Sequence, residues 1–234
     1  MSVADGREIP YDFRQNGRMF KMNGPRFRHV GLFVDWNSQL REVPLEFADR
    51  PIDKCKLALT RVGKIVTKHL CNLDASSVFR VQIRLYHGWT AGVTQTPNRR
   101  AFDSIAEVEN LDEIFPSTRV LALSDVEFGD RLIDALPRRL KRGLQIHLPN
   151  TYRRQRGDAE PAEKMVDTAL ASDLLSWARS DPTSIAVVFS NDDDAVPAVL
   201  VAEAWMKPFG GEVYLVRSNA RGDSRYLVLE GLLL

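Results

Sequence analysis

The sequence predicts an α/β fold with a mostly parallel central sheet and helices on both faces. Three observations predict it. Short apolar, β-branched runs alternate with longer segments of helical periodicity, which is the pattern of strands joined by crossover helices. Two of those runs, His29–Val34 and Ile185–Phe189, end abruptly in carboxylates, at Asp35 and at Asp192-Asp193-Asp194. The chain has 234 residues, 44% hydrophobic and 27% charged, enough to bury one large core.

The elements follow in order. Met1 to Arg28 reads as an irregular basic arm, with Arg7, Arg14, Arg18, Lys21, Arg26 and Arg28 against Asp5, Glu8 and Asp12. Strand one spans about Val30 to Asp35, and a loop carrying Pro44 and Pro51 follows. Helix one runs from about Ile52 to Cys71, with apolar positions Leu57, Leu59, Val62, Ile65, Val66 and Leu70. Strand two is Val78 to His87, where Val81, Ile83 and Leu85 alternate with Gln82, Arg84 and Tyr86. Trp89 to Asn98 is a loop, and Val120–Leu123 is an extra strand inside an insertion covering roughly 90–142. Gly143–Leu148 reads as a strand and Thr151 to Pro161 as a basic loop. Ala162 to Arg179 is a helix whose first turn places Lys164 and Asp167 on one face. Ile185–Phe189 is a core strand. Val196 to Lys207 is a helix with Pro197 in its first turn, where proline is tolerated. Glu212–Val216 is the last strand, and Tyr226–Leu234 a closing helix or tail.

Composition narrows the classes. Met1–Arg28 has no apolar h-region, so no secretory signal is expected, and no apolar run approaches membrane-spanning length; a cytoplasmic protein is expected. Cys55 and Cys71 lack metal-site spacing and read as small hydrophobes of one helix. The net charge is only +1, but seven basic residues (Arg138, Arg139, Lys141, Arg142, Arg153, Arg154 and Arg156) share one window without an acid. Such a segment suits phosphates, and pairing with the acidic stretch Asp103–Asp134 is the competing reading.

Carboxylates at strand ends have two readings. Asp35, Asp192 and Asp194 suit turns, and Asp167 in a first helical turn suits the helix dipole. In an open parallel sheet the carboxyl ends of the strands are also where ligands bind. Crowded acids repel one another unless a cation sits among them.

In combination and order, these segments resemble the NYN branch of the PIN-like nuclease superfamily. The resemblance rests on Asp35-x-Asn37 after the first strand, on Lys164-x-x-Asp167 with Asp173 further along, and on Ser190-x-Asp192-x-Asp194-x-x-Pro197. It covers about His29 to Val216 and implies one PIN-like, Rossmann-like domain over 29–234. Asn191 and Asp193 stand where small residues are usual, and Ala195 replaces a customary aromatic.

The resemblance implies a metal-dependent ribonuclease that hydrolyses RNA phosphodiester bonds. Asp35, Asn37, Asp167, Asp192 and Asp194 are the expected catalytic residues, and the four aspartates are the expected ligands of Mg²⁺ or Mn²⁺. Lys164, Asp173 and Ser190 are expected to support them, and Arg138, Arg139, Arg153, Arg154 and Arg156 to bind RNA. The alternatives are a catalytically silent RNA-binding scaffold of the same fold and another metal-dependent phosphoesterase. The sequence leaves homo-oligomerisation open.

Overall fold

The structure, a computed structural model, describes residues 26–47, 49–91, 94–108, 111–123, 125–129, 151–154 and 161–218. The expected strand Gly143–Leu148, the tail Tyr226–Leu234 and nearly all of the N-terminal arm lie outside the described residues.

The first strand, β1 (Arg26–Asp35), is longer than its apolar core because Arg26–His29 also pair with the neighbouring strand. Helix α1 (Trp36–Arg41) starts directly after it, where the sequence reading had a loop. The physical reason is a cap: the Asp35 carboxylate accepts from the Ser38 N–H at 3.2 Å. Helix α2 (Pro51–Leu73) carries a proline at its first position and buries Cys55, Leu59, Val62, Val66 and Leu70 along one face. Strand β2 (Ser77–Tyr86) alternates as far as Ile83, but Arg84 and Tyr86, expected on the polar face, are buried as well because the helix Val166–Ser180 covers that face of the sheet. A small hairpin, β3 (Thr90–Ala91) and β4 (Thr94–Gln95), occupies the expected loop, and α3 (Pro97–Val108) follows. Two short strands, β5 (Val120–Ala122) and β6 (Glu127–Phe128), share the outer edge of β2.

The next segment departs from the sequence reading. Thr151–Arg154 is a strand, β7, and it pairs antiparallel with β8 (Pro161–Lys164). Met165 then turns the chain in the left-handed region (φ 64°), so α4 begins at Val166 and runs to Ser180. Lys164 is therefore an exposed strand residue opposite Thr151, not a partner of Asp167 in one helical turn. Strand β9 (Ile185–Phe189), helix α5 (Val196–Met206) and strand β10 (Glu212–Val216) complete the core.

The main sheet has the order β10-β9-β1-β2-β5, every neighbouring pair parallel. Counting only these five strands along the chain, the order is that of a Rossmann-like doubly wound sheet. One core lies beneath α2 and α3, built from Val30, Leu32, Leu70, Phe79, Val81 and Val187 among others. The second lies beneath α4 and α5, around Phe33, Leu174, Trp177, Val188 and Val199. Helices thus cover both faces, and the chain changes face between β1 and β9, the two strands that end in acids.

Candidate functional site

A ligand crevice in such a sheet forms where the crossovers diverge, outside the carboxyl ends of the strands. Here a cleft of about 850 Å³ opens at that place, lined by Asp35, Asn37, Ser38, Arg41, Glu42, Glu163, Asp167, Asn191, Asp192 and Asp193. Asp35 arrives from the end of β1, Asp167 from the first turn of α4, and Asp192 from the loop after β9.

One buried hydroxyl ties two of these elements together. Ser190 Oγ donates to Asp35 Oδ2 at 3.1 Å and accepts from the Asp192 N–H at 3.1 Å. Ser190 is 2% exposed, so few waters can replace it. Asp192 in turn caps the short turn Asp193–Ala195, its Oδ1 accepting from the Asp194 N–H at 3.0 Å. Pro197 follows in the first turn of α5.

The loop is also fastened on its far side. Asn191 Nδ2 donates to Ser218 Oγ at 2.7 Å, and the Ser218 N–H donates back to Asn191 Oδ1 at 3.0 Å. Asp193 pairs with Arg217. Asn191 and Asp193, two of the three departures from the motif, thus attach the acidic loop to the end of β10. Asp193 is exposed and neutralised by Arg217, so its charge bears on the cleft less than its neighbours' charges do.

The remaining acids are close enough to oppose one another. The Asp167 carboxyl is pushed above the ordinary aspartate range, first by burial and then by the charges of Asp35, Asp192, Asp194 and Glu163. Asp194 acts at that distance and is not among the residues that line the cleft. Asp173 sits elsewhere: it is 2% exposed within α4 and accepts from Tyr86 Oη at 2.9 Å. Tyr86 stands beside Asp35 in the strand register, so Asp173 braces the end of β2 next to Asp35.

Sequence reasoning missed Ser38, Arg41 and Glu163. Asp35 directly before Trp36 is an N-cap signal for a helix start, which points to the first two. Glu163 was hidden by the helical reading of 162–165. Its Oε1 accepts from the Gly88 N–H at 2.6 Å and lies 2.5 Å from His87 Nδ1. Burial would raise the Glu163 pKa, but His87, the Gly88 N–H and Arg41 outweigh it and hold this carboxyl below its ordinary range. Trp89 is buried, donates to the Leu85 carbonyl at 3.1 Å, and packs edge-on against His87 and Phe128. It is a packing residue.

The donor chemistry fits a hard divalent cation, which takes carboxylate, amide and water oxygens. Among the described residues, no group of three or more His, Cys, Asp or Glu side chains is placed to hold one metal ion. Of the expected RNA-binding arginines, Arg138, Arg139 and Arg156 lie outside the described residues. Arg153 and Arg154 fall on β7, whose partner β8 brings Glu163 to the cleft. The chain matches no protein-family model, no curated protein and no solved structure.

Proposed function

We propose that this protein is a metal-dependent nuclease that hydrolyses phosphodiester bonds in RNA. The observation that supports this most is the meeting of Asp35, Asp167 and Asp192 in one cleft at the point where the sheet changes winding, with mutual repulsion felt at Asp167. Acids so placed gain from a cation and lose without one. Asp35, Asp167 and Asp192, the motif acids that line the cleft, would hold Mg²⁺ or Mn²⁺ with Asp194 adding its charge from outside the lining, and such an ion would supply activation of water and charge neutralisation at the phosphate.

The chain's own residues supply the rest. Ser190 fixes the spacing of the Asp35 and Asp192 loops. Asn37 presents an amide at the cleft wall, suited to a phosphate oxygen, and Arg41 brings a guanidinium to the same wall. The basic segment Arg138–Arg156 would hold the polyanion alongside, in a salt-dependent way. RNA is preferred over DNA because of the motif resemblance. Among the described residues no helix is long and apolar enough to cross a membrane. A cytoplasmic setting belongs to the proposal and is supported by two free thiols, Cys55 and Cys71.

The test is degradation of end-labelled RNA by purified protein with Mn²⁺, with and without a chelator. Cleavage should require the ion and disappear in Asp167→Asn, while that variant stays folded. A variant that cleaves at the parental rate would overturn the assignment. Turnover of a small phosphate ester without RNA cleavage would instead favour the phosphoesterase alternative.

A further inference from the structure

Helix α5 is apolar almost all round. From Val196 to Met206 its only charged residue is Glu203. A helix of that composition is ordinarily buried on every side. Here the inner side packs into the core through Val199, Ala202 and Met206. The outer side does not: Val201, Trp205 and Phe209 are 37%, 41% and 63% exposed. A spacing of four puts Val201 and Trp205 on one face of the helix, and Phe209 follows at the same interval in the next turn. Trp205 and Phe209 line a groove of about 540 Å³ together with Ala178, Arg179 and Pro182, from the end of α4 and the loop after it. Contiguous exposed apolar surface of this kind marks a binding site. The groove lies at the far end of α4 and α5 from the acidic cleft, which stands where those helices start.

The chain itself supplies an occupant. After β10, Arg217 pairs with Asp193, and Ser218 exchanges hydrogen bonds with Asn191. These contacts hold Ser218 beside the turn that leads into α5. Residues 219–234 therefore set out from the start of that helix. Residues 219–225 are mostly polar, whereas 226–234 are apolar except for Glu230 and Gly231. Seven residues at full extension reach about 23–25 Å. The length of α5 is only about 16 Å at 1.5 Å per residue. The apolar stretch can thus be delivered anywhere along the outer face. Its one charge, Glu230, is acidic, and the one charged residue lining the groove is Arg179. A short tether also holds a segment at about millimolar effective concentration, which favours it over a second copy of the chain.

We propose that residues 226–234 dock in this groove of their own chain, covering Val201, Trp205 and Phe209 and setting Glu230 beside Arg179. The inference does not rest on the nuclease reading.

The experiment is acrylamide quenching of tryptophan emission in the full chain. Trp36, Trp89 and Trp177 are buried, so of the four tryptophans Trp205 alone reports on the groove. The parent should resist quenching, and dilution should not change this. Leu227→Ser, Leu229→Ser, Leu232→Ser and Leu233→Ser combined should make one tryptophan's share of the emission quenchable, with far-UV circular dichroism unchanged. Adding Trp205→Phe to that variant should abolish the gain. If the combined variant does not fold, the charged pair decides. Arg179→Glu and Glu230→Arg should each raise quenching, and the two together should return it to the parental level. Free quenching of Trp205 in the parent would overturn the inference, as would tail variants that leave it protected. Protection that fades on dilution would also overturn it and identify a second copy as the occupant.

Discussion

Replacing Ser190 with alanine tests the link between the two acidic loops. The substitution removes one oxygen and adds no bulk, so its effect is confined to the hydrogen bonds of Oγ. One of these goes to the Asp35 carboxylate and one comes from the Asp192 N–H, each at 3.1 Å. A bond to a charged group contributes about 1.5–3 kcal/mol and a neutral one about 0.5–1.5 kcal/mol. Asp35 is only half-buried, so water recovers part of the first, and Asp192 is exposed. The expected loss is about 2 kcal/mol, which for a chain of this length lowers the melting temperature by roughly 4–8 °C. Urea unfolding in chelating buffer should show an earlier midpoint with an unchanged slope. Asp35→Ala alone and combined with Ser190→Ala completes a double-mutant cycle, and the pair should be clearly non-additive. A loss below about 0.5 kcal/mol, or strict additivity, would refute the bridge and with it the reason the two loops hold their spacing.

Asp35→Asn and Asp35→Ala should separate structure from chemistry: both abolish cleavage, but asparagine keeps a cap on α1, whereas alanine loses that cap, about 1 kcal/mol, together with the hydrogen bond from Ser190, read by urea unfolding. Gly63→Ala should be severely destabilising, because a Cβ there would lie 2.1 Å from the Ile114 carbonyl oxygen; about 3 kcal/mol or failure to express folded protein is expected, and a neutral result would show that α2 does not pack this closely. His69 is buried within α2, and burial pushes its pKa down to about 4, partly offset by Glu212. Since the unfolded chain binds that proton near pH 6.5, stability should be constant above that pH and fall by up to about 3 kcal/mol as the pH drops towards 4. The difference in stability between the parent and His69→Gln should change across that window and nowhere else.

What the sequence made legible was whatever a short window contains. The buried run Ile185–Phe189 and the acids after it are visible because β-branched residues and carboxylates adjoin in the chain. The parallel pairing of β1 with β2 and β9 is what the alternation of strands and helices implies. The start of α4 was misplaced because Ala162, Glu163 and Lys164 have good helical propensity, and only their pairing with Thr151–Arg154 keeps them extended. Glu163 was lost with that boundary. Its partner His87 is 76 residues away, a distance that no local pattern spans. Asn191 and Asp193 looked like departures from a motif because their partners, Ser218 and Arg217, come from the end of the next strand.

The structural and the functional readings of the site aspartates turn out to have one physical cause. Asp35 is the N-cap of α1, Asp167 lies in the first turn of α4, and Asp192 caps the turn that leads into α5. In a parallel sheet with crossover helices, those helix starts gather at the carboxyl edge of the strands. Each offers backbone N–H groups and a partial positive charge, which favour a carboxylate by about 0.3–1 kcal/mol at an exposed terminus. This is a small return against the repulsion that raises Asp167. Helix starts therefore explain why aspartates can stand here, but not why so many stand together, since Ser or Asn would cap as well without the charge. Among the described residues that surplus charge shows itself at Asp167, whose carboxyl is raised by its acidic neighbours, and under the proposed function a divalent cation would compensate it.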